Sequence, residues 1–255
     1  MAILCFIIFF ILKKGLPIIT WDFLLQSPKD MGRAGGIFPT IIGTIFIAVI
    51  AVLISTPLGV CTAIFLTEYA KEGIMTKIVR FGSECLAGIP SIIFGLFGFV
   101  LFVEYLHFGW SILSGSLTLS FMILPTIIRT TEEAIKAVPY SFREVSYSLG
   151  ATKWQTIKKV VLPGALPGIV TGVILGIGRS VGETAAVIFT AGGSLNIPSS
   201  IFDSSRTMSV HFYILAREGI SMNNAYGTAA ILVISILLIN FFAYWIMHKV
   251  TAKYS

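Results

Sequence analysis

Apolar residues run in blocks of membrane-crossing length, separated by short polar segments. A helix needs about 20 apolar residues to cross a bilayer. Five stretches approach or reach that length: Ile41–Leu66, Ile89–Leu106, Trp110–Ile128, Ile169–Ala191 and Tyr226–Met247. A sixth, Ala2–Leu12, covers only about 17 Å at helical rise. The pattern predicts an all-α integral membrane protein of about six transmembrane helices: a first helix with an outer loop over 1–34, and one membrane domain over 35–255. Pro57 falls inside the second apolar block and Pro125 near the end of the fourth. A lipid-exposed break would leave backbone groups unpaired, so both kinks belong against protein or water.

Composition narrows the class without changing it. Of 255 residues, 56% are hydrophobic and 12% charged, about half the charge of a soluble domain. The net charge of +6 does not gather on a polar domain, so no nucleic-acid partner is implied. The basic residues flank apolar blocks instead, and their bias sets orientation. With both termini cytoplasmic, the inner segments hold Lys71, Lys77, Arg80, Arg129, Lys136, Arg143, Lys153, Lys158, Lys159, Lys249 and Lys253. The outer segments hold Lys13, Lys14, Lys29, Arg33, Arg206 and Arg217, of which Lys13 and Lys14 oppose the assignment. Met1–Leu12 lacks the basic start and small-residue cleavage site of a signal peptide. Cys5, Cys61 and Cys85 have neither paired nor metal spacing, and His107, His211 and His248 are isolated, which points to structural roles.

One polar island stands out, Glu144–Pro163. Ser141 with Glu144, and Thr152 with Gln155, have the spacing of capping boxes. They predict two short helices about Gly150, which permits a left-handed stop. Val145 and Leu149 share a face of the first; Trp154, Ile157 and Val161 share a side of the second, away from most of Lys153, Lys158 and Lys159. Pro163 is expected to end the hydrogen-bond ladder before the next membrane helix. A helix-turn-helix DNA reader would need a soluble domain around it. Geometry alone does not choose between a loop lying on anionic lipid and a docking element.

The spacing Glu144-x5-Gly150-x9-Val160-x-Leu162-Pro163 resembles the EAA loop of ABC-importer permeases, with Val145 and Ser146 in place of alanines and Val160 in place of isoleucine. The resemblance implies that Glu144, Gly150, Ala151, Lys153, Leu162 and Pro163, within a cytoplasmic loop over about 139–163, form the element that inserts into a groove of an ATPase. The chain has no GxxxxGK[S/T] phosphate-binding loop, so hydrolysis belongs to a separate chain. It also lacks HExxH, GxSxG and a metal-spaced His/Cys cluster. A non-catalytic subunit is expected, binding no cofactor itself, with ATP and Mg used by the partner.

Past Pro163, glycines recur at 164, 168, 172 and 176. With Arg179 and Glu183 they fall within about 120° of a helix. A glycine ridge lets another helix approach closely, so this face turns into the bundle and carries both charges with it. Each charge alone would cost roughly 2.5–3.5 kcal/mol at mid-membrane. Their i,i+4 spacing lets them pair. Either they merely neutralise each other, or Glu183 holds the Arg179 guanidinium ready for an anion in transit. The second is favoured because an apolar pair would cost less. Glu104 and Arg129 sit near helix ends, where long side chains snorkel.

Four further segments are similar to phosphate-importer permeases of the PstA type: Gly35–Thr44, Ala87–Gly98, Arg129–Ala134 and Arg179–Ala185. The likeness runs from about Gly35 to the C-terminus. It implies a MetI-like permease fold in the bacterial inner membrane, phosphate as cargo, a related permease of PstC type, two ATP-binding subunits of PstB type and a phosphate-binding protein of PstS type. The outer loop Gly192–Ala225, with apolar residues around His211–Leu215, is the candidate docking surface for the binding protein, or else a plain surface or re-entrant loop. Another tetrahedral oxyanion, molybdate or sulfate, would suit Arg179 equally. An ATP-independent channel or carrier is disfavoured by the EAA-like loop.

Overall fold

A computed structural model describes residues 2–71 and 73–254. The chain is almost wholly helical: α1 (Ala2–Gly15), α2 (Trp21–Leu25), a two-residue hairpin of β1 (Pro28–Lys29) and β2 (Ala34–Gly35), α3 (Phe38–Ile64), α4 (Ile74–Gly88), α5 (Ser91–Gly98), α6 (Ile112–Ala137), α7 (Tyr140–Ser148), α8 (Lys153–Thr156), α9 (Leu162–Gly182), α10 (Ala185–Thr190), α11 (Met208–Arg217) and α12 (Met222–Tyr254). π turns extend α3 over Phe65–Tyr69 and α5 over Phe99–Tyr105, and another joins α8 to α9 over Ile157–Val161.

Among the described residues, four helical stretches are long and apolar enough to cross a membrane: Phe38–Tyr69, Ile112–Ala137, Lys153–Gly182 and Met222–Trp245. A fifth is a bent pair, Thr76–Gly88 with Ser91–Tyr105, meeting at 103°. Pro90 sits at that break and cannot extend the α4 ladder. The expected span Ile89–Leu106 is therefore the second arm of this pair. The expected span Ile169–Ala191 stops at Gly182, because Glu183 and Thr184 break the helix before α10. The 14 residues of α1 reach past Leu12 and hold Lys13 and Lys14 in their last turn, where the helix dipole favours cations. The Lys14 ammonium lies 5.0 Å from the Phe10 ring and 5.1 Å from the Tyr226 ring. Both lysines are thus helix-end residues rather than members of an outer loop. The side chains from Ile246 on, with His248, Lys249 and Lys253, lie outside the described residues.

The chain divides into two compact units. One comprises the chain through Ala51, Pro90–Ser120 and Gly178–Ile239. Its core gathers Phe23, Ile37, Met208 and Ile231. The segment between α1 and α3 is tied down there: Asn224 Nδ2 donates to Gly32 O at 2.9 Å and to Arg33 O at 3.1 Å. Gly32 has φ +99 and abuts the His211 ring, so a side chain is excluded twice over.

The other unit comprises Val52–Ile89, Phe121–Ile177 and the chain from Asn240 on. Its core gathers Ala63, Ile64, Ile135, Val138, Ile157, Val161, Ala165 and Ile169. The glycine ridge of α9 lies along α6 in antiparallel register. Gly164 meets Val138, Gly168 meets Ala134, Gly172 meets Thr130, and Gly176 meets Ile123 and Ile127. A Cβ at Gly168 would collide with that of Ala134, so only glycine allows this approach. Hydroxyls within the spans bond backward to their own helix, as Thr62 does to Leu58 O at 2.7 Å and Thr130 to Thr126 O at 2.9 Å.

Candidate functional site

The polar island folds as two short helices about Gly150. Gly150 takes φ +80; its N–H donates to Tyr147 O at 2.9 Å, and that of Ala151 to Ser146 O at 3.1 Å. These two bonds close a Schellman stop, which satisfies the last carbonyls of α7. The Thr152 box is present with both reciprocal bonds, Gln155 N to Thr152 Oγ1 at 3.3 Å and Thr152 N to Gln155 Oε1 at 2.8 Å. The Ser141 box is absent: α7 starts two residues earlier than that cap would set, with Pro139 as its N-cap and no side-chain cap bond. Pro139 and the helical Tyr140 already place Ser141 inside the first turn, where its hydroxyl cannot cap.

Pro163 does not end the ladder. The helix runs unbroken from Lys153 to Gly182. The π turn absorbs the proline, and Leu162 N donates to Ile157 O one residue further back than in an α-helix. Leu162 and Pro163 are half-buried at this junction, with Leu162 against the apolar core. Ile157 and Val161 are buried, as their shared side predicts, but Trp154 is exposed.

The outward face of this segment is apolar. Tyr140, Phe142, Val145, Leu149 and Trp154 are all exposed, Leu149 at 84%. Glu144 and Lys153 stand among them, also exposed. A contiguous exposed apolar patch of this kind marks an interaction surface.

The inward face of α7 is a charge, which sequence reasoning did not find. Arg143 is buried, and its guanidinium engages three acceptors. Nε and Nη2 donate to Glu68 Oε1 at 3.2 and 2.8 Å, Nη1 to Val138 O at 2.8 Å, and Nη2 also to Ile135 O at 3.1 Å. A cation in the first turn of a helix and an acid in the last turn are each opposed by the dipole. Arg143 and Glu68 are such a wrong-signed couple, 75 residues apart, and that was the available signal. Ser146 and Thr156 hydroxyls meet at 2.9 Å and clamp α7 to α8. The Lys153 ammonium lies 4.9 Å from the Tyr69 ring.

Beside α6, a cleft of about 420 Å³ is lined by Arg80, Glu84, Arg129, Glu132, Glu133 and Lys136 with apolar neighbours. Glu132 Oε1 serves both Arg80 at 2.7 Å and Lys136 at 2.6 Å. Arg129 pairs with Glu133 at 3.3 Å, both largely exposed.

The other predicted charges lie at the end of α9. Arg179 is half-buried in its last turn and Glu183 follows the helix end. They do not form the i,i+4 ion pair, because Glu183 is outside the helix and its carboxylate is used elsewhere. Glu183 Oε1 accepts from Ala186 N at 3.3 Å at the start of α10, and its carbonyl accepts from Ser209 Oγ at 2.6 Å. Thr207 and Ser209 hydroxyls meet at 3.0 Å, and Thr44 Oγ1 accepts from Met208 N at 2.9 Å. The break is thus stitched to α11 and to the start of α3. Among the described residues the Arg179 guanidinium has no hydrogen-bond or ion-pair partner.

The stretch His211–Leu215 is helical and divided between interior and surface, with Ile214 half-buried. His211 and Leu215 are buried, which leaves only Phe212 and Tyr213 at the surface. Burial, reinforced by the Arg206 charge, pushes the His211 imidazole down to about 4, so it is neutral at physiological pH. Arg206 donates from Nε to Gly193 O at 3.0 Å, and burial lowers its pKa too. Asp203 accepts from the backbone and hydroxyl of Ser199 and from Ser200 N, which holds its carboxyl below the usual range.

Long apolar helices of membrane-crossing length define a multi-pass membrane protein. The chain belongs to the family described as binding-protein-dependent transport system inner membrane component, whose model matches residues 55–255. It is thus an ABC importer permease subunit of the inner membrane. It is 36% identical to the probable ABC transporter permease protein YqgI of Bacillus subtilis, over 99% of this chain and 92% of that one. It is 34% identical to the phosphate transport system permease protein PstA of Pasteurella multocida, over 94% of this chain and 86% of that one. The inward-facing MetNI methionine ABC transporter shares its fold, with a TM-score of 0.69 at 20% identity over 84% of this chain and 95% of that one.

Proposed function

We propose that the chain is a permease subunit that passes inorganic phosphate from an external binding protein into the cytoplasm. The observation that carries an anion is Arg179. A half-buried guanidinium with no hydrogen-bond or ion-pair partner among the described residues keeps its donors available to a tetrahedral oxyanion. The choice of phosphate is supported by the PstA relatives, and molybdate or sulfate is the competing cargo. Uptake of labelled phosphate by cells carrying or lacking the chain, with each oxyanion as competitor, tests it. Loss of uptake on deletion, with weak competition from sulfate and molybdate, is expected; undiminished uptake refutes phosphate.

The energy enters through Glu144–Pro163. With no phosphate-binding loop in the chain, a separate ATPase must hydrolyse ATP. In this reading the exposed apolar face of α7 and α8, with Glu144, Gly150, Ala151 and Lys153, fills the ATPase groove. The unbroken helix beyond Leu162 and Pro163 receives the motion. A related permease of PstC type, two ATPase subunits of PstB type and a binding protein of PstS type complete the assembly. Gly150→Pro and Glu144→Lys are expected to abolish co-purification of the ATPase while the bundle still inserts. Retention of the ATPase by both variants refutes the docking role.

A further inference from the structure

The fold leaves open how a force applied to the polar island reaches α3. Helices α6 and α9 are joined to the island by the chain itself, through Val138–Pro139 and through the continuous helix from Lys153. The end of α3 is 75 residues away in sequence and has no such connection. It touches the island in two ways. The first is apolar: Ala63 and Ile64 lie in one cluster with Ile157 and Val161. Apolar burial is non-directional, so such a surface resists separation but not sliding.

The second is directional. The Arg143 guanidinium takes Glu68, in the π turn that ends α3, and the carbonyls of Ile135 and Val138 at the end of α6. Those carbonyls lie at a helix C-terminus, where a cation is favoured; the Ile135 carbonyl also accepts from Val138 N at 3.3 Å. The Arg143 and Glu68 side chains are each 9% exposed. Separating them would leave an uncompensated buried charge, so the three helix ends move together or not at all. The planar fork also fixes their mutual angle, which an ammonium could not. Beside it, Lys153 grips Tyr69, the next residue of α3. Two cations of the loop over 139–163, Arg143 and Lys153, thus meet two consecutive residues of one helix end.

We propose that Arg143 and Glu68 form the joint through which movement of the coupling loop is delivered to α3 and α6. They are positioning residues: neither meets cargo nor nucleotide, and their role is to make ATP-driven movement of the loop into movement of the helices. The proposal rests on the coupling-loop reading given above. It separates two properties that docking alone keeps together, holding the ATPase and using its work.

The test uses the whole assembled transporter in proteoliposomes, with labelled phosphate as probe and phosphate moved per ATP hydrolysed as the readout. Glu68→Gln keeps the shape and removes the charge; Arg143→Lys keeps the charge and removes the fork. Both are expected to retain the ATPase subunits at wild-type stoichiometry while phosphate moved per ATP falls at least tenfold. The exchange Glu68→Arg with Arg143→Glu is expected to recover part of the ratio relative to either half alone. An unchanged ratio in Glu68→Gln and Arg143→Lys overturns the joint. So does a loss of transport and hydrolysis in step with the amount of assembled complex, which is what a stabilising pair alone would give. Glu144→Lys serves as the control. If it sheds the ATPase while the joint variants keep the ratio, the joint fails and docking stands; if both it and Gly150→Pro retain the ATPase, docking fails and the joint with it.

Discussion

Arg143 in α7 and Arg179 in α9 are both helical arginines, and they are treated oppositely. Arg143 is buried with its donors spread over a carboxylate and two helix-end carbonyls. Arg179 is half-buried and has no such partner among the described residues, although Glu183 stands four positions on. A guanidinium committed to the fold cannot serve a passing anion, and one left uncommitted costs stability that a folding role alone does not justify. The difference separates a charge committed to contacts within the fold from one left open to a ligand, without appeal to position in the chain.

The sharpest way to break this comparison is to remove the committed charge. Arg143→Ala leaves Glu68 buried and unpaired, and an orphaned buried charge costs about 3–5 kcal/mol. The detergent-solubilised variant is expected to melt well below wild type, and Arg143→Ala with Glu68→Ala to recover much of the loss. Equal melting of Arg143→Ala and wild type would place Arg143 with the uncommitted group.

How far this contrast was legible in the sequence depends on which interactions are local. The glycine ridge and the Gly150 stop were readable, because 3.6-residue periodicity and a positive φ are properties of a single segment. The two charges Arg179 and Glu183 read as one face of a single helix, and the break after Gly182 that divides them was not legible. The helix ends at Gly182 because Glu183 and Thr184 start α10 with bonds to Ala186 and Ser209, the latter 26 residues on. Arg143 was counted only as a positive loop charge, since its partner lies 75 residues upstream. Pro163 misled because a π turn, invisible to period counting, absorbs a missing donor. Likewise the apolar faces of α7 pointed outward, a choice that tertiary contacts make and periodicity does not.

His211 extends the comparison to a second uncommitted group. It is buried, its Nδ1 has no hydrogen-bond partner among the described residues, and its pKa falls from 6.5 to about 4 through burial and the Arg206 charge. The unfolded chain therefore binds more protons than the folded one between these values, so stability falls as pH drops from about 6.5 toward 4. The span is on the order of 3 kcal/mol. Thermal melts across that window are expected to show the slope in wild type and to lose most of it in His211→Phe. A flat wild-type profile would mean that His211 is protonated or partnered in the fold.

For Arg179 the expected effect is of opposite kind. Hydrogen bonds to a charged group contribute roughly 1.5–3 kcal/mol, so Arg179→Ala should cut phosphate uptake by about ten- to a hundredfold. Its melting point should hold or rise, since no hydrogen bond or ion pair among the described residues is lost. Arg179→Lys keeps the charge without the fork and should recover only part of the uptake. A charge exchange with Glu183 that restored transport would make the pair structural after all, and would erase the distinction from Arg143.

The smallest effect sharpens the comparison within one segment, where two look-alike capping boxes had different fates. Thr152 accepts from Gln155 N and its own N–H donates to the Gln155 side chain, whereas Ser141 caps nothing. Loss of a working cap costs about 1 kcal/mol. Thr152→Ala should therefore lower the melting point slightly and loosen the start of the Lys153–Gly182 helix, seen as faster amide exchange at Trp154 and Gln155. Ser141→Ala should do neither, since Pro139 already sets the start of α7 and alanine suits a first turn. Equal effects of the two substitutions would mean that the cap at Thr152 contributes nothing beyond what the π turn and the buried Thr156, Ile157 and Val161 already supply to hold α8 in place.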